Sequence, residues 1–142
     1  MRRAATLLLV AVIFAASNAA ADPREDYILH CRGCHGAEGA GVRGAVPALR
    51  GQVAVFLAAS GGREYLLRVP GTSQSELSDA RIAALMNWIL AEFDPDDVPD
   101  GFRWYTEEEV AAARHPALAD VEGLRQRLLA EATGHGRKPH VQ

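Results

Sequence analysis

The chain contains two cysteines, and they stand in the run Cys31-Arg32-Gly33-Cys34-His35. Two thiols two residues apart share one turn of backbone, so whatever they bind must meet both from the same side. A disulfide is the simplest use of such a pair in an exported protein, but it leaves His35 unexplained. A thioredoxin-like redox pair follows a β-strand in an α/β pattern. Here the preceding stretch, Pro23 to His30, reads as a short helix, and no clear strand run appears anywhere. A structural zinc site needs four ligands, usually in two spaced pairs, and there is no second cysteine pair.

The remaining reading uses all three residues. C-x-x-C-H is the attachment pattern for c-type haem. Two thiols on one turn reach the two vinyl groups on one porphyrin edge and form thioethers. The next residue then sets its imidazole under the iron. The expected cofactor is therefore one covalent haem c, held by Cys31 and Cys34 and ligated by His35.

The N-terminus is laid out for export, which supports the haem reading. Arg2 and Arg3 precede an uncharged, mostly apolar run from Ala4 to Ala16, and Ala19-Ala20-Ala21 fits a small-residue cleavage site before Asp22. This is the arrangement of a secretory signal peptide. The apolar run falls short of the roughly 18–20 residues of a membrane span, so no span is expected in the mature chain. The arginine pair alone does not make a twin-arginine signal. Of the 15 Lys and Arg residues, 13 remain after Arg2 and Arg3 are removed, against 18 acidic ones, a net of −5. Neither a nucleic-acid surface nor global disorder suits a chain that is 49% hydrophobic with this charge.

Roughly Pro23 to Phe93 resembles the class I cytochromes c. Tyr27 lies one helical turn before Cys31, where that family packs its first helix against its last. Gly36, Gly39 and Gly41 continue into a glycine-rich loop, and Pro47-Ala48-Leu49 is similar to the family's loop whose proline carbonyl accepts a hydrogen bond from the haem histidine. Trp88-Ile89 resembles the aromatic–aliphatic pair of the family's final helix. The resemblance implies an all-α fold and one-electron transfer in the periplasm with redox protein partners, and no enzymatic constellation is evident. Two other functions fit the same residues. One is a haem protein with an open sixth site for CO, NO or peroxide; the other is a cytochrome subunit of a periplasmic dehydrogenase.

One departure from the family stands out. Its axial methionine belongs in the loop before the last helix, where this chain reads Arg68-Val69-Pro70-Gly71. Valine cannot ligate iron. With Met1 lost in the signal peptide, Met86 is the one methionine left, and it falls on the helix, where packing is its ordinary role. His30 is tethered beside Cys31. The sixth ligand is then Met86, His115 or none.

The local pattern predicts helices over Gln52–Ala59, broken by Gly61-Gly62, over Arg63–Val69, and over Asp79–Phe93. Ser78 caps the last of these, and Leu77 and Ile82 form a hydrophobic staple. The acidic, turn-rich stretch from Asp94 to Gly101 opens a C-terminal helical extension. In it, Thr106-Glu107-Glu108-Glu109 reads as a capping box for Glu107–Arg114, and a further helix is expected over Val121–Ala132. Expected domains are thus 1–21 signal peptide, 22–93 cytochrome c domain and 94–142 extension. The extension is expected to wrap over the haem domain, because Phe102, Trp104 and Tyr105 need burial and its helices are too short to stand alone.

Overall fold

A computed structural model describes residues 22–136. The expected signal peptide and the last six residues lie outside them. The described residues are helical: α1 (Pro23–His30), α2 (Arg32–His35), α3 (Gly62–Arg68), α4 (Pro70–Ser73), α5 (Asp79–Phe93), α6 (Glu107–Ala113) and α7 (Val121–Gly134), with 3-10 turns at Ala54–Ala58 and Pro95–Asp97. The extended backbone among them is one isolated bridge between Val42 and Val46. No helix among the described residues is long and apolar enough to cross a membrane.

The two helices that frame the cysteine motif start where local chemistry says they should. Asp22 caps α1 by accepting the Arg24 N–H at 2.9 Å, with Pro23 in the first turn. Ser78 caps α5 by accepting the Arg81 N–H at 3.3 Å. The two helices pack against each other through Tyr27, whose ring centroid lies 5.3 Å from Trp88 and 5.0 Å from Phe93. Beside this aromatic contact, the Arg81 guanidinium grips Asp26 with both arms. Asp26 is 1% exposed, so the arginine supplies the partner that a buried carboxylate requires.

The extension packs back onto the helices before it. Tyr105, Val110, Leu128 and Ala132 join the core formed by Tyr65, Leu66, Leu67, Ile82, Leu90 and Phe93. The Asn87 side chain bonds both backbone groups of Tyr105, at 3.0 and 2.8 Å, and the Tyr105 hydroxyl donates to the Arg63 carbonyl at 3.1 Å. Burial of the aromatic run is uneven: Tyr105 is buried, Phe102 half-buried and Trp104 exposed.

Several expectations need correction. Gln52–Ala59 is a 3-10 turn over Ala54–Ala58, not an α-helix. The buried Asp94 carboxylate takes the Ala54 N–H at 2.7 Å, and Gly62 is pressed so closely on Phe56 that an added Cβ would sit 1.7 Å from its carbonyl oxygen. Only Gly61, with φ of +80°, breaks the chain there; Gly62 is the first residue of α3. Helix α4 had no counterpart in the sequence reading. The capping box is half formed: Thr106 accepts the Glu109 N–H at 3.3 Å, but the Glu109 carboxylate turns away to a two-armed bond with Arg63 at 2.9 and 2.7 Å.

Candidate functional site

Helix α1 runs into α2 through Cys31, whose backbone (φ −122°, ψ −37°) departs from helix for one residue. The turn stays tight: the Cys31 N–H bonds the Tyr27 carbonyl at 2.9 Å, and the His35 N–H bonds the Cys31 carbonyl at 3.0 Å. Both cysteines are free thiols, Cys31 half-buried and Cys34 exposed. Burial pushes the Cys31 thiol up to about 11, with Asp26 and Cys34 adding to it. It is therefore protonated at neutral pH.

Gly36 ends α2 with φ of +77°, a conformation that suits glycine, and the chain turns back under His35. The Gly41 N–H bonds the His35 carbonyl at 2.9 Å, and the Leu49 N–H bonds the Gly39 carbonyl at 2.7 Å. Gly41 is the tightest point. Its φ is +66°, and a Cβ there would lie 2.3 Å from the Val46 oxygen and 2.7 Å from that of Pro47. Only glycine lets the loop close on itself, and closing brings the Pro47 carbonyl to the histidine.

His35 Nδ1 lies 3.0 Å from the Pro47 oxygen. A carbonyl oxygen can only accept, so Nδ1 carries the proton and Nε2 keeps its lone pair. Burial lowers the basicity of His35, while the Pro47 bond opposes it less strongly. The ring is thus neutral at neutral pH, with its ligating nitrogen fixed, as a metal-binding imidazole must be. The Tyr27 hydroxyl donates to the Gly36 carbonyl at 2.6 Å, tying the residue after His35 to the α1–α5 crossing.

The other two expected ligands lie elsewhere. Met86 is 5% exposed and sits in the core cluster. His115 is exposed, with Nδ1 3.3 Å from the Ser73 hydroxyl. The loop that should hold an axial methionine is instead tied to the extension by Arg114. Its guanidinium donates to the carbonyls of Leu77 at 2.9 Å and Ser75 at 2.6 Å and to Asp79 at 2.8 Å, while the Ser73 hydroxyl donates to the Arg114 carbonyl. Sequence reading missed Arg114, because a contact between residues almost 40 positions apart leaves no local signal.

A cavity of about 560 Å³ opens between the 40–48 loop and the first turn of α7. Pro47 lines it, but Cys31, Cys34 and His35 do not. No cluster of three or more His, Cys, Asp or Glu side chains suited to a metal occurs among the described residues.

No family model matches the chain. It is 34% identical over 140 residues to a cytochrome c-552 of Thermus thermophilus, covering 86% of this chain and 94% of that protein. A second Thermus thermophilus cytochrome c-552 is 36% identical over 115 residues, covering 68% of this chain and 88% of its own length. Identity at this level across nearly the whole relative, on a helical fold with the cysteine–histidine turn in place, establishes the family and its covalently bound haem c: the chain belongs to the class I c-type cytochromes, electron carriers rather than enzymes.

Proposed function

We propose that Cys31 and Cys34 hold the haem through thioethers, that His35 Nε2 ligates its iron, and that the protein carries single electrons between redox partners in the periplasm. The observation that carries this reading is the bond between His35 Nδ1 and the Pro47 oxygen, which leaves one nitrogen of a neutral imidazole free beside two unpaired thiols. Bound there, the haem supplies a ferrous–ferric couple. The protein's part is to fix the imidazole, anchor the ring edge and pack the surroundings. Residues 1–21 act as the export signal in this reading, with 22–93 as the haem domain and 94–142 as its extension. Protein made with a cytochrome maturation system should have the mass of the polypeptide starting at Asp22 plus one haem. Replacing either cysteine with serine should leave haem attached through a single bond or lost. Haem that extracts freely into acidified organic solvent from the unaltered protein would refute the assignment.

The same residues favour an iron with no methionine on its other face. Met86 would have to leave the core formed with Ile82, Ile89 and Phe93, and the loop that precedes α5 offers no methionine and is bonded to Arg114. The ferrous protein should therefore bind CO, seen as a shifted Soret band. Failure to bind CO, with a methionine–iron charge-transfer band that vanishes in Met86→Ala, would instead make Met86 the ligand.

A further inference from the structure

Helix α1 carries one buried charge that neither the haem attachment nor the ligating histidine uses. Asp26 is 1% exposed. It stands five residues before Cys31 and next to Tyr27, whose carbonyl takes the Cys31 N–H at 2.9 Å. Five residues of helix rise about 7.5 Å, so the carboxylate lies close behind the cysteine motif. Its partner comes from the first turn of α5: Arg81 donates from Nε at 3.2 Å to one carboxylate oxygen and from a terminal nitrogen to the other. The two ends of this pair are unlike. The Arg81 side chain is 42% exposed, and that of Asp26 1%. Water screens the guanidinium, whereas the carboxylate acts through protein, where a charge is felt more strongly. The pair therefore turns its negative end inward.

Cohesion of the α1–α5 crossing does not call for this charge. Tyr27, Trp88 and Phe93 already fill the crossing, and a well-packed apolar pair holds as well as a buried ionic one. The motif does register the charge: burial raises the Cys31 thiol pKa, and the Asp26 charge adds to it. Once the cysteines carry haem, the same field falls on the iron. Ferric iron holds one more positive charge than ferrous, so a buried carboxylate nearby favours the ferric form. We propose that Asp26 is a redox-tuning residue: its buried carboxylate, held in place by Arg81, lowers the reduction potential of the attached haem. The proposal rests on the haem reading above.

Redox titration of the haem-loaded protein tests it, with melting curves alongside. Asp26→Asn keeps the size of the side chain and removes the charge. It should move the ferric–ferrous equilibrium about three- to tenfold toward ferrous, the scale of one charge acting over about 10 Å at an effective dielectric of roughly 20–40. Asp26→Glu, which keeps the charge, should hold the equilibrium near the parent value. Glu25→Gln removes an equal charge from the exposed neighbouring position and should move it far less, because water screens that site. A residue that only braced the crossing would lower the melting temperature in Asp26→Asn and Asp26→Glu alike and shift both potentials together. Equal potentials in the parent and Asp26→Asn, or equal shifts in Asp26→Asn and Asp26→Glu, overturn the proposal. Parent protein without covalent haem overturns the reading beneath it, a separable result.

Discussion

A chain of residues 22–93 is expected to melt at least about 15 °C below residues 22–142, or to show no cooperative transition. Tyr105, Val110, Leu128 and Ala132 are each 4% exposed or less. Burying one large apolar side chain contributes roughly 1.5–3 kcal/mol, so these residues together match a large part of the ~5–15 kcal/mol that holds a typical domain folded. Truncation also strips partners from the residues left behind. Asn87 loses both bonds to Tyr105, Arg63 loses Glu109, and the Ser60 N–H loses the Glu131 carboxylate it meets at 2.8 Å. Thermal melts of the two haem-loaded proteins, followed by circular dichroism, measure the difference. Equal melting temperatures would mean that the extension is an appendage, free to serve as a docking arm.

Arg114→Ala should cost about 3–5 kcal/mol, the scale seen when one partner is removed from a buried charged network. Arg114 is 5% exposed, and its guanidinium serves two loop carbonyls at 2.6 and 2.9 Å and the Asp79 carboxylate at 2.8 Å. Without it those carbonyls have no donor, and water reaches them only if the loop opens. Glu64→Ala, which removes only the pair with Arg68, provides the contrast. That pair is spaced i to i+4 on one helix with its carboxylate 55% exposed, a setting worth less than ~1 kcal/mol. Guanidinium chloride titrations of both variants should separate them clearly. A loss below about 1 kcal/mol in Arg114→Ala, no more than an exposed pair is worth, would show that the 73–79 loop holds itself.

What the sequence disclosed, and what it hid, divides by range. Helix α5 was readable to the residue, because Ser78, the Leu77–Ile82 pair and the inward stripe all act within one or two turns. The His35–Pro47 bond was expected from family resemblance; twelve positions separate the two residues, and nothing local selects Pro47 over another loop proline. The Asp26–Arg81 pair and the Arg114 knot were invisible for the same reason. Capping failed in an instructive way at Glu109: the local rule offered it the Thr106 N–H, but an arginine 46 positions away held its carboxylate. Winding was misjudged at Ala54–Ala58, where apolar spacing fits α and 3-10 alike and a distant carboxylate and a glycine contact set the result. Valine at position 69 was informative because an absence of side-chain chemistry needs no long-range partner.

The tie between Tyr27 and the far end of α5 also has a kinetic side. Helix α1 has eight residues, too few to persist alone in water. Its tertiary anchors, Arg81, Trp88 and Phe93, lie 55 to 66 residues further along. Contacts of that sequence separation form only after a large loop has closed. As the chain is made from its N-terminus, Cys31, Cys34 and His35 are in place well before α5 is. For that interval both thiols are presented on backbone not yet packed against α5, and closure of the α1–α5 crossing ends the interval.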